Sequence, residues 1–282
     1  RHPKESKKAW IAEIQSYQRS GSGWFKEGLI NYGMHFKEHS SAFAVAALHL
    51  LGSEPIIPFK ISEELNERKK VRKWLRNAPE WGLLYWSGSH RGGGIGAIFV
   101  TLGPEKYPHP NFFEWYFKWL EENADPEVGF WRIGWIHKLC KNRLTKHELG
   151  GAVHYYWIYE FLDQPFPYPE EAIDATLQLQ NEMGTWHQDF SYCIDLDAIF
   201  FLTRCCKQAD GYREEDIEHS LNIYLDHVIE MMNHKSFLFD TYSSAHKLTG
   251  YLCAIAEIQK FRPGWFDIAE PWTQTLDLAP WI

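Results

Sequence analysis

The sequence predicts an all-α fold, an (α/α) toroid of five to six helical hairpins, in a single domain over residues 1–282. Three observations predict it. A unit recurs: an aromatic-rich helical segment, a tight Gly-x-aromatic turn, then an apolar segment rich in small residues. Amphipathic segments alternate with segments that are apolar nearly all round. Prolines and glycines fall between the segments and not inside most of them. A recurring unit cannot bury its apolar face alone, so neighbouring copies must stack.

The repeat is written three times. Residues 18–24 (QRSGSGW) precede the small-residue run 39–48, residues 125–131 (DPEVGFW) precede 150–157, and residues 180–186 (QNEMGTW) precede 195–202. The outer helices are predicted over 5–19, 64–77, 110–123, 169–182 and 214–232, each charged on one face and apolar on the other. The inner helices are predicted over 39–51, 94–102, 149–162, 194–207 and 245–260, apolar on all sides because both faces are covered. Their centres lie roughly 45–57 residues apart, the length of one hairpin with its loops.

Punctuation sets the boundaries. Pro55 and Pro58 follow the first inner helix; Pro104, Pro108 and Pro110 follow the second; Pro165 and Pro167 follow the third, and Pro169 stands at a helix start. The Gly-rich stretch 79–94 reads as a loop at the mouth of the ring. Residues 263–282, with Pro263, Pro271 and Pro280, read as an incomplete sixth hairpin or a closing tail.

Composition narrows the class. Hydrophobic residues make up 45% of the chain, enough for a substantial core. No apolar run reaches about 18 residues, so no membrane-spanning helix is expected. No signal peptide is visible, and a start at Arg1 fits a leader or tag that has been removed. A net charge of −8 without a Lys/Arg stripe argues against nucleic acid as ligand. The five cysteines form no Cys-x-x-Cys, which predicts buried thiols in a reducing compartment and favours the cytoplasm. Aromatic residues reach 16%, with 14 Trp. They fill the interior of helical rings, and they also line clefts that stack sugar rings or hold a hydrocarbon cation.

The turns, each set between a helix and a small-residue helix, resemble the Gln-x-x-x-Gly-x-Trp repeat of terpenoid cyclases and protein prenyltransferase β subunits, with Asp125 in place of Gln in the middle copy. The stretch His39 to Gly52 resembles an inner helix of that superfamily. At the level of fold the chain also resembles toroid polysaccharide lyases and glycoside hydrolases. The cyclase resemblance implies an Asp-x-Asp-Asp acid, whose nearest match is Asp195-Leu-Asp197-Ala198. The prenyltransferase resemblance implies zinc on an Asp-x-Cys pair and a distant His. Here the order is reversed, Cys193-Ile-Asp195, with His246 farther on, and no metal or cofactor is expected.

Inner-helix N-termini gather at one mouth, where exposed N–H groups suit carboxylates or developing anions. Ionisable residues sit near each start: Glu38 and His39; His90 and Arg91; His147, Glu148 and His154; Tyr192, Asp195 and Asp197; His246 and Lys247. His154, on a segment too apolar to solvate it, is the leading catalytic candidate, with Asp195 and Asp197 from the next copy. Residues i and i+2 point about 200° apart on a helix, so one carboxylate reacts and the other orients a neighbour or caps the helix. Tyr192 and His90 complete the catalytic set, and Arg91, on the Gly-rich loop, neutralises a uronate. Trp86, Trp135, Glu38, His39, His147, His246 and Lys247 are expected to bind substrate. Trp24, Trp131 and Trp186 are expected to be structural.

Three functions fit. The first is a carbohydrate-active enzyme, a lyase or hydrolase cutting an oligosaccharide at the ring mouth. The second is a terpenoid-cyclase-like or prenyl-transferring enzyme acting on an isoprenoid. The third is a non-catalytic helical-ring binding module.

Overall fold

The computed structural model describes residues 4–25, 36–76, 85–133, 143–187, 193–242, 245–268 and 270–281. Among these residues the regular elements are helical, without a strand. They are α1 (Lys4–Ser16), α2 (Lys37–Leu50), α3 (Ile61–Glu64), α4 (Arg68–Arg76), α5 (Tyr85–Leu102), α6 (Phe112–Asn123), α7 (Lys146–Phe161), α8 (Pro169–Leu177), α9 (Cys193–Gln208), α10 (Glu214–Met232), α11 (Lys235–Thr241), α12 (Ala245–Phe261) and α13 (Thr275–Leu278). No helix is long and apolar enough to cross a membrane. The chain forms two compact units. The first comprises Arg1–Asn123, Trp157–Asp163 and Leu276–Ile282; the second comprises Ala124–Tyr156 and Gln164–Thr275.

In the first unit α2 lies along α5, and α4 lies along α6, where Arg72 pairs with Glu122 at 2.7 Å. Of the Gly-rich stretch 79–94, residues 79–84 lie outside the described residues and 85–94 are helical, not a loop. Gly88, Gly92, Gly93, Gly94 and Gly96 are buried inside α5, so Arg91 stands on a helix and not on the expected loop. Glycine costs about 1 kcal/mol in a helix interior relative to alanine, but here its bareness is needed. A Cβ on Gly94 would stand 3.0 Å from the backbone of Glu38, and one on Gly96 would stand 2.3 Å from Ile158 Cδ1. Close helix packing thus overrides propensity. The C-terminal tail seats Trp281 in the core, edge-on to His39, whose ring stacks on His90 at 4.0 Å.

In the second unit α9 packs along α12 and against α8, which opens on Pro169 as expected. Arg204 and Glu257 join α9 to α12 through two hydrogen bonds of 2.9 and 2.8 Å, both side chains buried. Arg262 is held by Glu214 and Glu218 of α10. Phe130, Tyr156, Phe166 and Phe201 form one aromatic cluster.

The three turns are built alike. Their glycines, Gly23, Gly129 and Gly184, take φ of 79°, 73° and 85°, a left-handed conformation that disfavours side chains. Space is also closed: a Cβ on Gly23 would lie 2.4 Å from Pro58 O, and one on Gly129 would lie 2.6 Å from Tyr168 O. Gln18 Nε2 donates to Gly23 O and Ile57 O, and Gln180 Nε2 donates to Gly184 O and Ser220 O. The glutamines therefore stitch each turn to a distant segment. In the middle copy Asp125 does not replace them. Its N–H bonds Phe130 O just as Arg19 N–H bonds Trp24 O, which puts Ala124 at the glutamine's place. Trp24, Trp131 and Trp186 are all buried, as expected of structural rings.

Candidate functional site

The first unit holds a cleft of about 480 Å³ that gathers two tryptophans, three cations and two carboxylates. Ser22 and Trp24 come from the first Gly turn, Lys37 and Glu38 from the start of α2, Lys60 and Glu64 from the region of α3, Trp74 from α4 and Arg91 from α5. Lys60 N–H donates to Ser22 O at 3.1 Å, which fixes the turn against α3. Lys37 Nζ lies 4.9 Å from the Trp24 ring, and the Arg91 guanidinium lies 4.4 Å above the Trp74 ring. Both cations are thereby held in place by aromatic faces.

Glu38 is the central group. It sits in the first turn of α2, whose start lacks a side-chain cap, and the bare Gly94 lets α5 close over it. Its residue is 1% exposed, yet it lines the cleft, and its Oε2 has no hydrogen-bond partner. Arg91 Nε stands 3.8 Å from Oε1, beyond hydrogen-bond length. Burial pushes the carboxyl above the usual range, against the pull of its own backbone N–H, Arg91 and Lys37. Trp74 Nε1 is a second buried cleft atom without a partner. An unpartnered acceptor and an unpartnered donor, both on residues of a largely apolar cleft wall that carries charged groups, suit a ligand with an apolar face and hydroxyls.

The second unit holds a buried acid pair. Asp195, the third residue of α9, accepts the Trp186 backbone N–H at 2.7 Å and so ties α9 to its turn. Asp197 is fully enclosed, and its Oδ2 lacks a partner. Burial, then the neighbouring Asp195 carboxylate, push its carboxyl well above the usual range.

The expected site residues divide between these places. Glu38 and Arg91 line the cleft. His39 and His90 are buried behind it in the Trp281 stack and are not part of its wall. Trp86 is half-buried in the first turn of α5. His154 is buried in the third turn of α7, deeper than a residue of the helix mouth, because α7 begins at Lys146. His147 stands beside Lys146; partial burial, then Lys146, lower its pKa, and burial, then Lys146 and His147, push His187 down to about 4. Glu148 is buried against Arg132 at 3.6 Å and accepts the Thr145 N–H. Lys247 is half-buried in the first turn of α12. Tyr192 and Trp135 lie outside the described residues, as does the His246 side chain. Among the described residues no three His, Cys, Asp or Glu side chains gather as a metal site. Sequence reasoning missed Trp74, Lys37, Lys60 and Glu64. No protein-family model, curated protein or solved structure matches the chain.

Proposed function

We propose that the protein is a carbohydrate-active enzyme, a lyase or glycoside hydrolase, that cleaves a glycosidic bond in the cleft of the first unit. The observation that supports it best is Glu38: a buried carboxyl, lifted in pKa, with one oxygen unpartnered, in the wall of a cleft of ligand size. A carboxyl raised in this way takes up a proton more readily than an exposed one, the property a general acid needs. Arg91 supplies fixed positive charge beside it, and Glu64 is the second carboxylate of the wall. The same reading takes the hairpins as members of an (α/α) toroid. It is supported by the apolar inner and amphipathic outer helices of both units and by the likeness of the three turns. A panel of polysaccharides, assayed for unsaturated ends and for new reducing ends, separates lyase from hydrolase. Activity that Glu38→Gln abolishes without lowering the melting temperature supports the proposal; activity that survives in Glu38→Gln contradicts it.

Asp197 favours a second reading. A carboxyl pushed up by burial and by the neighbouring Asp195 suits the alkene-protonating acid that the cyclase resemblance implies. Conversion of a linear isoprenoid to a cyclic product, lost in Asp197→Asn, would establish it in place of the first.

A further inference from the structure

Resting on the reading of the cleft as a carbohydrate site, we infer that its ligand is an anionic sugar, whose carboxylate or phosphate docks among Arg91, Lys37 and Lys60 while a hydroxyl meets Glu38. The charge of the cleft runs against the charge of the chain. The whole protein carries −8, yet the cleft wall sets three cations against two carboxylates. Burial raises one of these carboxyls, Glu38, above its ordinary range, so it is the readier of the two to take up a proton. A cleft with such a wall concentrates anions from solution.

The aromatic residues point the same way. A cationic ligand would seek the face of Trp24 or Trp74, but Lys37 already occupies the first and Arg91 the second. These tryptophans therefore act as props for cations. The prop fixes where the Arg91 fork stands, and Glu38 at 3.8 Å does not consume it in a close pair. An anion arriving there gains charge-assisted hydrogen bonds without first breaking one to Glu38. Glu38 Oε2 and Trp74 Nε1, buried without a partner on residues of the wall, match a hydroxyl donor and an oxygen acceptor. A sugar ring with an acidic substituent supplies the anion, the donor and the acceptor within a volume of about 480 Å³.

Calorimetric titration of the whole protein tests this with four probes: a glucuronate-containing disaccharide, oligogalacturonate, glucose 6-phosphate and neutral cellotetraose. The expected result is saturable binding of an acidic probe, weakened by about tenfold or more in Arg91→Gln and again in Lys60→Glu. Added salt should weaken it further. Lys60 is exposed, so its substitution reads binding without burdening the fold. Preference for the uronates or for the sugar phosphate names the source of the negative charge. Neutral cellotetraose bound as tightly as the acidic probes overturns the inference and leaves the carbohydrate site standing. An acidic sugar that binds but is never cleaved leaves the inference standing and removes the enzyme. No binding of any acidic probe, or binding unchanged in both variants, overturns it outright.

Discussion

Arg91 and Glu38 face each other across 3.8 Å in the first unit, one stacked on Trp74 and the other sealed beneath α5, without a hydrogen bond between them. A buried carboxylate ordinarily draws its cation to hydrogen-bond distance, because an open pair leaves its desolvation cost poorly offset; here Glu38 is buried and Arg91 is partly exposed. The gap keeps the carboxyl of Glu38 easy to protonate.

That state has a pH signature. The folded-state pKa of Glu38 is raised above its unfolded value, mainly by burial. Its contribution to stability is then fully present below about pH 4, the unfolded carboxyl value, and is lost as pH rises through the folded pKa. Gln does not titrate. The melting temperature of Glu38→Gln should therefore exceed that of the parent at pH 8, with the difference shrinking toward pH 4. Calorimetric melts across that range check it. A variant less stable at high pH would show a stabilised, ionised Glu38.

The turns predict a second set of effects. Gly129→Ala places a side chain at φ 73°, which costs roughly 1–3 kcal/mol. The new Cβ at 2.6 Å from Tyr168 O adds roughly 1–3 kcal/mol of overpacking. Trp131→Ala and Trp186→Ala, which empty fully buried sites, should each cost about 3–5 kcal/mol. Urea denaturation measures all three, and near-parental midpoints would contradict the structural role.

The acid pair of the second unit should respond asymmetrically. Asp195→Ala removes the acceptor of the buried Trp186 N–H and should cost about 1–3 kcal/mol. Asp197→Asn replaces a carboxyl that ionises reluctantly and whose Oδ2 has no partner, so the melting temperature at neutral pH should hold or rise. Thermal melts of the two variants check the contrast; a large loss in Asp197→Asn would reveal an ionised, paired carboxylate.

Much of the fold was legible because periodicity reports burial directly. The outer helix predicted over 214–232 is α10 to the residue, and the inner helix predicted over 194–207 differs from α9 by one residue at each end. The Gly-rich stretch misled because its glycines answer to a neighbouring backbone, Glu38 against Gly94, which no local pattern encodes. The site was half legible. Glu38 and Arg91 were marked by their charge near helix starts. Trp74 and Lys60 were not, since a tryptophan and a lysine on amphipathic segments look like ordinary surface until the tertiary fold turns them toward one cleft. His154 drew attention as a polar residue in an apolar helix, a signal of burial that by itself does not distinguish a reactive group from a core one.

The most direct measurement compares single-turnover cleavage by Glu38→Gln and Asp197→Asn on whichever polysaccharide the wild-type protein cleaves. Loss of a positioned acid–base group costs about 10²–10⁴-fold in rate. Glu38→Gln should show that loss while Asp197→Asn keeps near-parental turnover. Full activity in Glu38→Gln together with loss in Asp197→Asn would contradict the account and move the chemistry to the second unit.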